Sequence, residues 1–147
     1  MNTVKSVLAQ KSGVLIHIRS GDMVIEALRQ MRDNRVRSVL VIDDNMLVGI
    51  VTQGDCAIKA LLPGLDAKET PVRQVMTGKP VTVKPDDSVE SCMAMMAVRG
   101  FRHLPVLDAG TVVGVISIGD VVKDTIRNLE RNLSDLTGYI MTDGPGG

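Results

Sequence analysis

The sequence predicts an α+β protein built from two β-α-β-β-α repeats that pack sheet against sheet about a pseudo-two-fold axis. Segment 49–55 (Gly-Ile-Val-Thr-Gln-Gly-Asp) has a near-copy 65 positions later in segment 114–120 (Gly-Val-Ile-Ser-Ile-Gly-Asp). Across residues 22–55, ten residues are identical at the same offset. Continuous β-branched runs alternate with segments whose apolar residues recur every three or four positions, which are patterns typical of buried strands and amphipathic helices. The chain is therefore a duplicated module.

The composition limits how the interior can be built. A chain of 147 residues suits one compact unit, or two small units that share a core. It contains one Phe, one Tyr and no Trp, so Val, Ile, Leu and nine Met must fill the core. A three-stranded sheet with helices on one face cannot cover its own apolar surface at this size. We therefore expect the two halves to pack on each other and a ligand cleft to lie between them.

Charge and patterning argue against several classes of function. The formal net charge is zero, from 17 basic and 17 acidic residues, so we expect no broad nucleic-acid surface. No apolar run approaches the roughly 20 residues of a membrane span, and the N-terminus lacks the layout of a signal peptide. Cys56 and Cys92 have no metal-type spacing. We expect a cytosolic protein with reduced thiols, no membrane contact and no metal.

The first repeat begins with three elements in order. Residues 4–8 form a short amphipathic turn for which Thr3 can be the N-cap. The apolar run at 14–18 favours a strand, because it is short and rich in Val and Ile. From residue 24 the apolar positions recur at helical spacing, which predicts a helix that ends near Asn34.

A hairpin and a helix complete the first repeat. The β-branched run 38–42 predicts a strand buried on both faces, and the turn residues 43–45 connect it to a second strand at 46–52. A helix is predicted over residues 55–62, where a Pro-Gly pair stops it.

The same order of elements restarts after a linker. A lead-in at residues 72–76 repeats the lead-in of the first repeat at residues 4–8. It is followed by a strand at 80–83, a helix that carries Val89, Met93 and Met96, and a hairpin from residue 102. The last helix covers residues 120–132 and can continue further. The predicted domain boundaries are 1–62 for the first repeat, 63–71 for the linker, 72–132 for the second repeat and 133–147 for a C-terminal tail.

Each repeat places a hydroxyl and a carboxylate three residues apart where a strand runs into a helix, as Thr52 with Asp55 and Ser117 with Asp120. Such a junction can hold a sugar hydroxyl and a phosphate, because a helix N-terminus favours an anion. The same spacing also fits a capping box, which would be the better interpretation of a single copy. The duplication favours ligand binding, although both roles are compatible.

In order and repetition these motifs resemble the paired CBS domain, or Bateman module. The resemblance covers residues 4–127 and rests on the duplication, on G-h-h-[ST]-x-x-D at the end of each third strand, and on Arg-His-Leu-Pro-Val at 102–106. The lead-in Val-Met-Thr at 75–77, followed by Pro80, is similar to the usual opening of such a repeat. The length resembles that of small stand-alone members of the family.

The resemblance implies two clefts that bind adenine nucleotides. Asp55 and Asp120 would accept hydrogen bonds from ribose hydroxyls, and Thr52 and Ser117 would contact ribose or phosphate. Residues 16–18 and 81–83 would lie against the adenine, and Arg102 with His103 would face the phosphates. The full set of candidate ligand-binding residues is Ile16, His17, Ile18, Arg37, Ser38, Gly49, Thr52, Asp55, Val81, Thr82, Val83, Arg102, His103, Pro105, Gly114, Ser117 and Asp120.

The first repeat departs from the pattern at one place. It has Arg37-Ser38-Val-Leu where the second repeat has Arg-His-Leu-Pro, so it lacks one imidazole and one rigidifying Pro. We expect the two clefts to differ in affinity or ligand, although the sequence does not determine how the halves cross. Gly49 and Gly114 fit close packing and ligand approach about equally well, and His17 and His103, taken alone, also fit structural roles.

The predicted function is a regulatory nucleotide sensor rather than an enzyme, because the sequence contains no paired nucleophile and base and no P-loop. The resemblance implies AMP as the first ligand, and ATP, ADP, NAD and S-adenosylmethionine share its adenosine. It also implies a homodimer that signals to an effector protein, whose identity is open. Two alternatives are a ligand-free scaffold and a redox sensor that acts through Cys56, whose place at a helix N-terminus could lower its pKa.

Overall fold

The first repeat supplies three neighbouring strands of a four-stranded sheet, and the second repeat supplies the fourth strand at its edge. The computed structural model describes residues 2–11 and 13–143, with side chains described as far as residue 137. The first half contains α1 (Val4–Leu8), β1 (His17–Ile18), α2 (Val24–Asn34), β2 (Ser38–Asp43), β3 (Met46–Thr52) and α3 (Gln53–Cys56), which continues as a π-helix over Ala57–Leu61.

The second repeat has the same order of helices around a two-stranded sheet. Its elements are a 3₁₀ turn (Val72–Gln74), β4 (Thr77–Gly78), α4 (Val89–Arg99), β5 (His103–Asp108), β6 (Thr111–Ser117) and α5 (Ile118–Asp143). None of the helices within the described residues combines the length and apolar character needed to cross a membrane.

Two β-hairpins with two-residue turns form the centre of the repeats. Asp44 and Asn45 connect β2 to β3 with φ angles of 49° and 63°, and Ala109 and Gly110 connect β5 to β6 with φ angles of 50° and 83°. Left-handed backbone at both central positions produces the tight turn that matches the twist of antiparallel strands. The predicted hairpins are confirmed.

The prediction of a strand at residues 80–83 is wrong in detail. Only Val83 pairs there, in an isolated parallel bridge with Val106. β4 lies a few residues earlier and adds to β3 of the first repeat, so that Gly49 pairs with Gly78. Pro80 has no N–H to donate to a sheet, which limits pairing in this stretch. Residues 79–82 are consequently left as irregular chain between the repeats.

The lead-in segments are exchanged between the repeats. Val4 and Val7 of α1 are buried in the core of the second repeat, where the Val4 N–H donates to the carbonyl of Asp87 at 2.9 Å. Val72 is buried in the core of the first repeat, and its N–H donates to the carbonyl of Asp22 at 2.7 Å. Each repeat therefore needs a segment that precedes the other repeat to complete its core.

Each repeat has its own buried apolar cluster between its helices and its sheet. Val39 and Val51 belong to the first cluster, whereas Leu40 and Ile50 are also buried but lie outside both clusters. Because side chains alternate along a strand, Leu40 and Ile50 project from the opposite face of the sheet. That face lies toward the second repeat, since β3 contacts β6. The predicted α+β class and the packing of the repeats through their sheets are confirmed.

Candidate functional site

A cavity of about 530 Å³ opens where β3 runs into α3. Both repeats contribute to its wall, together with the irregular chain that follows β4. Its lining consists of Arg37, Ile50, Thr52, Gln53, Gly54, Asp55, Thr77, Lys79, Pro80, Val81, Gly100, Phe101, Arg102 and His103.

The hydroxyl and the carboxylate of the first repeat form a reciprocal capping box at this cavity. The Thr52 N–H donates to Oδ2 of Asp55 at 3.0 Å, and the Asp55 N–H donates to Oγ1 of Thr52 at 3.0 Å. The capping interpretation is therefore confirmed. It leaves the carboxylate able to accept further hydrogen bonds, because an ionised carboxylate has about four acceptor positions. Asp55 is thus held rigidly in the cavity wall.

Three cationic residues line the same cavity. Arg37 and Arg102 directly precede β2 and β5, and Lys79 follows β4. With one carboxylate against three cationic side chains, the lining favours an anionic ligand. Guanidinium groups offer a planar fork that matches phosphate oxygens.

His103 is the titratable neutral group of this wall. Burial lowers the pKa of His103, the positive charge of Lys11 lowers it further, and Asp120 acts in the opposite direction. Arg102 and Arg37 contribute smaller effects that also lower the pKa. The imidazole is therefore mostly neutral at pH 7 and can gain a proton when an anion binds beside it.

Apolar side chains complete the cavity. Ile50, Pro80, Val81 and Phe101 are among its lining residues. Gly100 is the C-cap of α4 and has a φ angle of 75°, a left-handed conformation that suits Gly. Phe101 follows it directly in the chain. An apolar wall next to a polar rim is the usual make-up of a small-molecule site.

The corresponding junction of the second repeat has a different environment. Ser117 and Asp120 form the same capping box, with hydrogen bonds of 2.8 and 3.1 Å. However, Nζ of Lys11 donates to Oδ2 of Asp120 at 2.9 Å and to the carbonyl of Val115 at 2.8 Å. Burial alone would raise the pKa of Asp120, but the hydrogen bonds from Lys11 and Ser117 outweigh it and lower the pKa.

Several predicted ligand residues do not line the cavity. Ile18 is buried in the core of the first repeat, Ile16 packs against that core, and His17 is exposed on β1, where it pairs with Leu40. Val83 is buried in the core of the second repeat, which leaves Val81 as the member of 81–83 that lines the cavity. Thr82, half-buried, is not among the lining residues. Ser38 and Pro105 are buried in β2 and β5.

Both motif glycines allow close packing. A Cβ on Gly49 would stand 2.6 Å from the sulfur of Met76 and 2.9 Å from the carbonyl oxygen of Thr77. A Cβ on Gly114 would stand 2.9 Å from Cδ2 of Leu8. Neither glycine lines the cavity, and the contacts that the structure shows for both are packing contacts with the exchanged lead-ins.

Sequence reasoning missed Lys11, Lys79 and Phe101. Phe101 is the single Phe of the chain and directly precedes Arg102, which is a signal that could have identified it. Lys79 follows the lead-in that the sequence did identify. Lys11 carried no signal, because its partner Asp120 lies 109 positions away.

The environment of Cys56 contradicts a reactive thiol. Burial and the neighbouring Asp55 carboxylate raise the pKa of Cys56 to about 11. The lowering that a helix N-terminus could cause is not found, because the side chain lies in the core of the first repeat. Among the described residues, no group of three or more His, Cys, Asp or Glu side chains is placed to hold a metal ion.

The fold and the site define a module of two repeats with a ligand-sized cavity at the first strand-to-helix junction. The chain belongs to the CBS domain family, whose model matches residues 10–60 and 72–126. The family resemblance noted from the motifs is thereby confirmed.

Two plant proteins illustrate the range of relatives. The chain is 30% identical over 147 aligned residues to the Arabidopsis thaliana CBS domain-containing protein CBSX3, mitochondrial, covering 94% of this chain and 71% of that protein. It is 38% identical over 111 residues to the Arabidopsis thaliana CBS domain-containing protein CBSCBSPB5, covering 75% of this chain. The chain spans only 20% of the length of CBSCBSPB5.

Solved structures show the same fold. The CBS domain NE2398 superimposes with a TM-score of 0.81 and 39% identity, covering 85% of this chain and 98% of that one. CBSX2 in complex with AMP superimposes with a TM-score of 0.74 and 25% identity, covering 86% of this chain and 98% of that one.

Proposed function

We propose that the chain is a regulatory module that binds AMP, or a related adenosine ligand, in the cavity at the junction of β3 and α3. The observation that carries this proposal is the composition of the cavity wall. One wall unites a fixed hydroxyl–carboxylate pair, apolar side chains and three cations. These features match the ribose, the base and the phosphate of a nucleotide.

Each part of the nucleotide has a chemical counterpart in the wall. The Asp55 carboxylate suits the vicinal diol of ribose, and Thr52 Oγ1 lies beside it at the same helix start. Val81 and Phe101 offer an apolar surface to the adenine. Arg37 and Arg102 supply charge and planar hydrogen-bond donors for the phosphate.

The choice of an adenine ligand rests on the family and on cavity size. The crystal structure of CBSX2, a structural neighbour at 25% identity, is that of its complex with AMP. A cavity of about 530 Å³ lies within the range of about 300–1,000 Å³ that is usual for small-molecule sites. ATP, ADP, NAD and S-adenosylmethionine carry the same adenosine and stay candidates beside AMP.

Ligand binding would act through a population shift. Because the wall comes from both repeats, a bound nucleotide contacts both and favours the arrangement in which both contacts form. We propose that an effector protein responds to that arrangement, that the working form is a homodimer, and that the role is regulatory rather than catalytic. We also propose a cytosolic location, although the relative CBSX3 is named as mitochondrial.

A thermal-shift panel with AMP, ADP, ATP, NAD and S-adenosylmethionine tests this proposal. A ligand at 100 times its dissociation constant adds about 2.7 kcal/mol to the free energy of unfolding. We expect at least one of the five to raise the Tm and Asp55→Asn to remove most of that rise. Asp44→Asn, a matched change in the exposed hairpin turn, should keep the full shift.

The opposite result points to a different function. If none of the five ligands raises the Tm at millimolar concentration, the nucleotide-sensor proposal is wrong and a ligand-free scaffold becomes the better account. If the shift occurs but is equal in wild type and Asp55→Asn, the carboxylate has only its capping role.

A further inference from the structure

The second strand-to-helix junction is occupied by a lysine from the chain's own N-terminal segment. Lys11 Nζ lies 2.9 Å from Oδ2 of Asp120 and 2.8 Å from the carbonyl oxygen of Val115. Val115 belongs to β6, and Asp120 belongs to the first turn of α5. The ammonium group therefore bridges the strand and the helix whose junction carries the Ser117–Asp120 motif.

The first junction also contains an ion pair between a lysine and the motif aspartate, but this lysine comes from a neighbouring position in the chain. Lys59 Nζ lies 3.1 Å from Oδ1 of Asp55, but Lys59 is one helical turn further along the same segment. It is not a lining residue, and the cavity is open beside Asp55 with this pair in place. An ion pair within one helical segment leaves the junction accessible, whereas Lys11 reaches Asp120 from 109 positions away.

A second side chain of the same segment covers β6. Leu8 lies so close to Gly114 that a Cβ there would stand 2.9 Å from Cδ2 of Leu8. The segment is anchored to the second repeat, because the N–H groups of Val4 and Lys5 donate to the carbonyls of Asp87 and Pro85. The exchange of the lead-in thus places Leu8 and Lys11 over the second junction.

We propose that Lys11 is a specificity-determining residue that closes the second junction, so that each chain binds one adenine nucleotide rather than two. This inference rests on the proposed function. The ammonium holds Oδ2 of Asp120, one of the two carboxylate oxygens to which a ribose diol would donate. A nucleotide could enter only by breaking both hydrogen bonds of Lys11, whereas at Asp55 the cavity is already open.

The test is the stoichiometry of AMP binding to the full chain, measured by isothermal titration calorimetry. Wild type should bind one AMP per chain. Lys11→Met keeps an unbranched side chain of about the length of the lysine stem but removes the amine and its charge, and it should double the stoichiometry to two. Lys11 is 38% exposed, so its replacement does not empty a core position.

Two further variants make the result specific. Lys59→Met removes the corresponding pair at the first junction and should leave the stoichiometry at one. The double variant Lys11→Met with Asp120→Asn should return from two AMP per chain to one, because the newly opened site loses its carboxylate.

Each contrary outcome has a separate meaning. Two AMP per chain in wild type, or one in Lys11→Met, would overturn the role of Lys11 and leave the proposed function intact. An absence of AMP binding in both proteins, together with a negative thermal-shift panel, would overturn the proposed function and this inference with it.

Discussion

Asp55 and Arg102 lie 47 positions apart and belong to different repeats, but both line the same cavity. Asp55 is held at the N-terminus of α3 by its capping box, and Arg102 directly precedes β5. The candidate site therefore exists only when the two repeats are packed together. Any ligand that contacts both residues stabilises that packing, which is the physical basis of the regulatory role that we propose.

Replacement of Arg102 should weaken binding of phosphate-bearing ligands selectively. A hydrogen bond to a charged group contributes about 1.5–3 kcal/mol, which corresponds to roughly 10- to 150-fold in affinity. We expect Arg102→Ala to weaken AMP binding within that range and to leave the weaker binding of adenosine unchanged. Titration calorimetry with both ligands measures the difference.

Arg99→Ala is the matched control for Arg102→Ala. Arg99 is an exposed residue in the last turn of α4 and does not line the cavity. Replacement of Arg99 should change AMP affinity by less than about twofold, because an exposed charge outside the cavity is largely screened by salt. Equal losses for AMP and adenosine in Arg102→Ala would show that Arg102 does not contact the phosphate.

The lowered pKa of His103 predicts that AMP affinity depends on pH. Burial keeps the imidazole neutral in the free protein, and a bound phosphate would favour the protonated form and raise its pKa. The complex then binds more protons than the free protein, so affinity should increase as the pH falls from 8 to 6. His103→Gln should show a smaller increase.

The comparison of these two proteins isolates the histidine. The AMP phosphate itself titrates near pH 6, but it does so for both proteins. Lys11 and Asp120 also act on His103 and are present in both. Identical pH profiles for wild type and His103→Gln would exclude proton uptake by His103.

Substitution of the motif glycines should destabilise the fold unequally. Gly49→Ala drives a Cβ against the backbone carbonyl of Thr77, whereas Gly114→Ala meets the flexible end of Leu8. We expect a loss of about 2–3 kcal/mol for Gly49→Ala and about 1 kcal/mol for Gly114→Ala, as for overpacked sites. Urea denaturation measures both. A larger loss for Gly114→Ala would contradict the packing described around β4.

The cysteines should resist modification in the folded protein. Burial raises the pKa of both thiols, to about 11 for Cys56, so the reactive thiolate is scarce at pH 7.5. Iodoacetamide should add to neither thiol of the native chain over an hour, and to both in urea, as measured by intact mass. Rapid modification of native Cys56 would restore the redox-sensor alternative.

The sequence predicted much of the fold because local patterns determine it. The apolar spacing of α2, the turn residues Asp44 and Asn45, and the duplicated hairpins each follow from neighbouring residues. The exchange of the lead-ins does not, because Val4 and Val72 have the same apolar pattern whichever repeat buries them. The predicted boundaries at residues 62 and 72 stay a prediction.

Part of the lining of the candidate site could be predicted from the motifs of the two repeats. Thr52, Asp55, Arg37, Arg102 and His103 line one cavity. Residues 16–18, expected to contact the adenine, do not line this cavity and stay a prediction, because the sequence does not determine how the two halves cross. A single long-range contact, Lys11 with Asp120, makes the second junction unlike the first, and no local pattern encodes such a contact.

A crystal structure of the chain grown with AMP tests the central claim most directly. We predict one nucleotide in the cavity, with its ribose hydroxyls on Asp55, its adenine against Val81, and its phosphate beside Arg102 and His103. AMP bound at a surface remote from these residues, or an empty cavity at saturating AMP, would contradict the account.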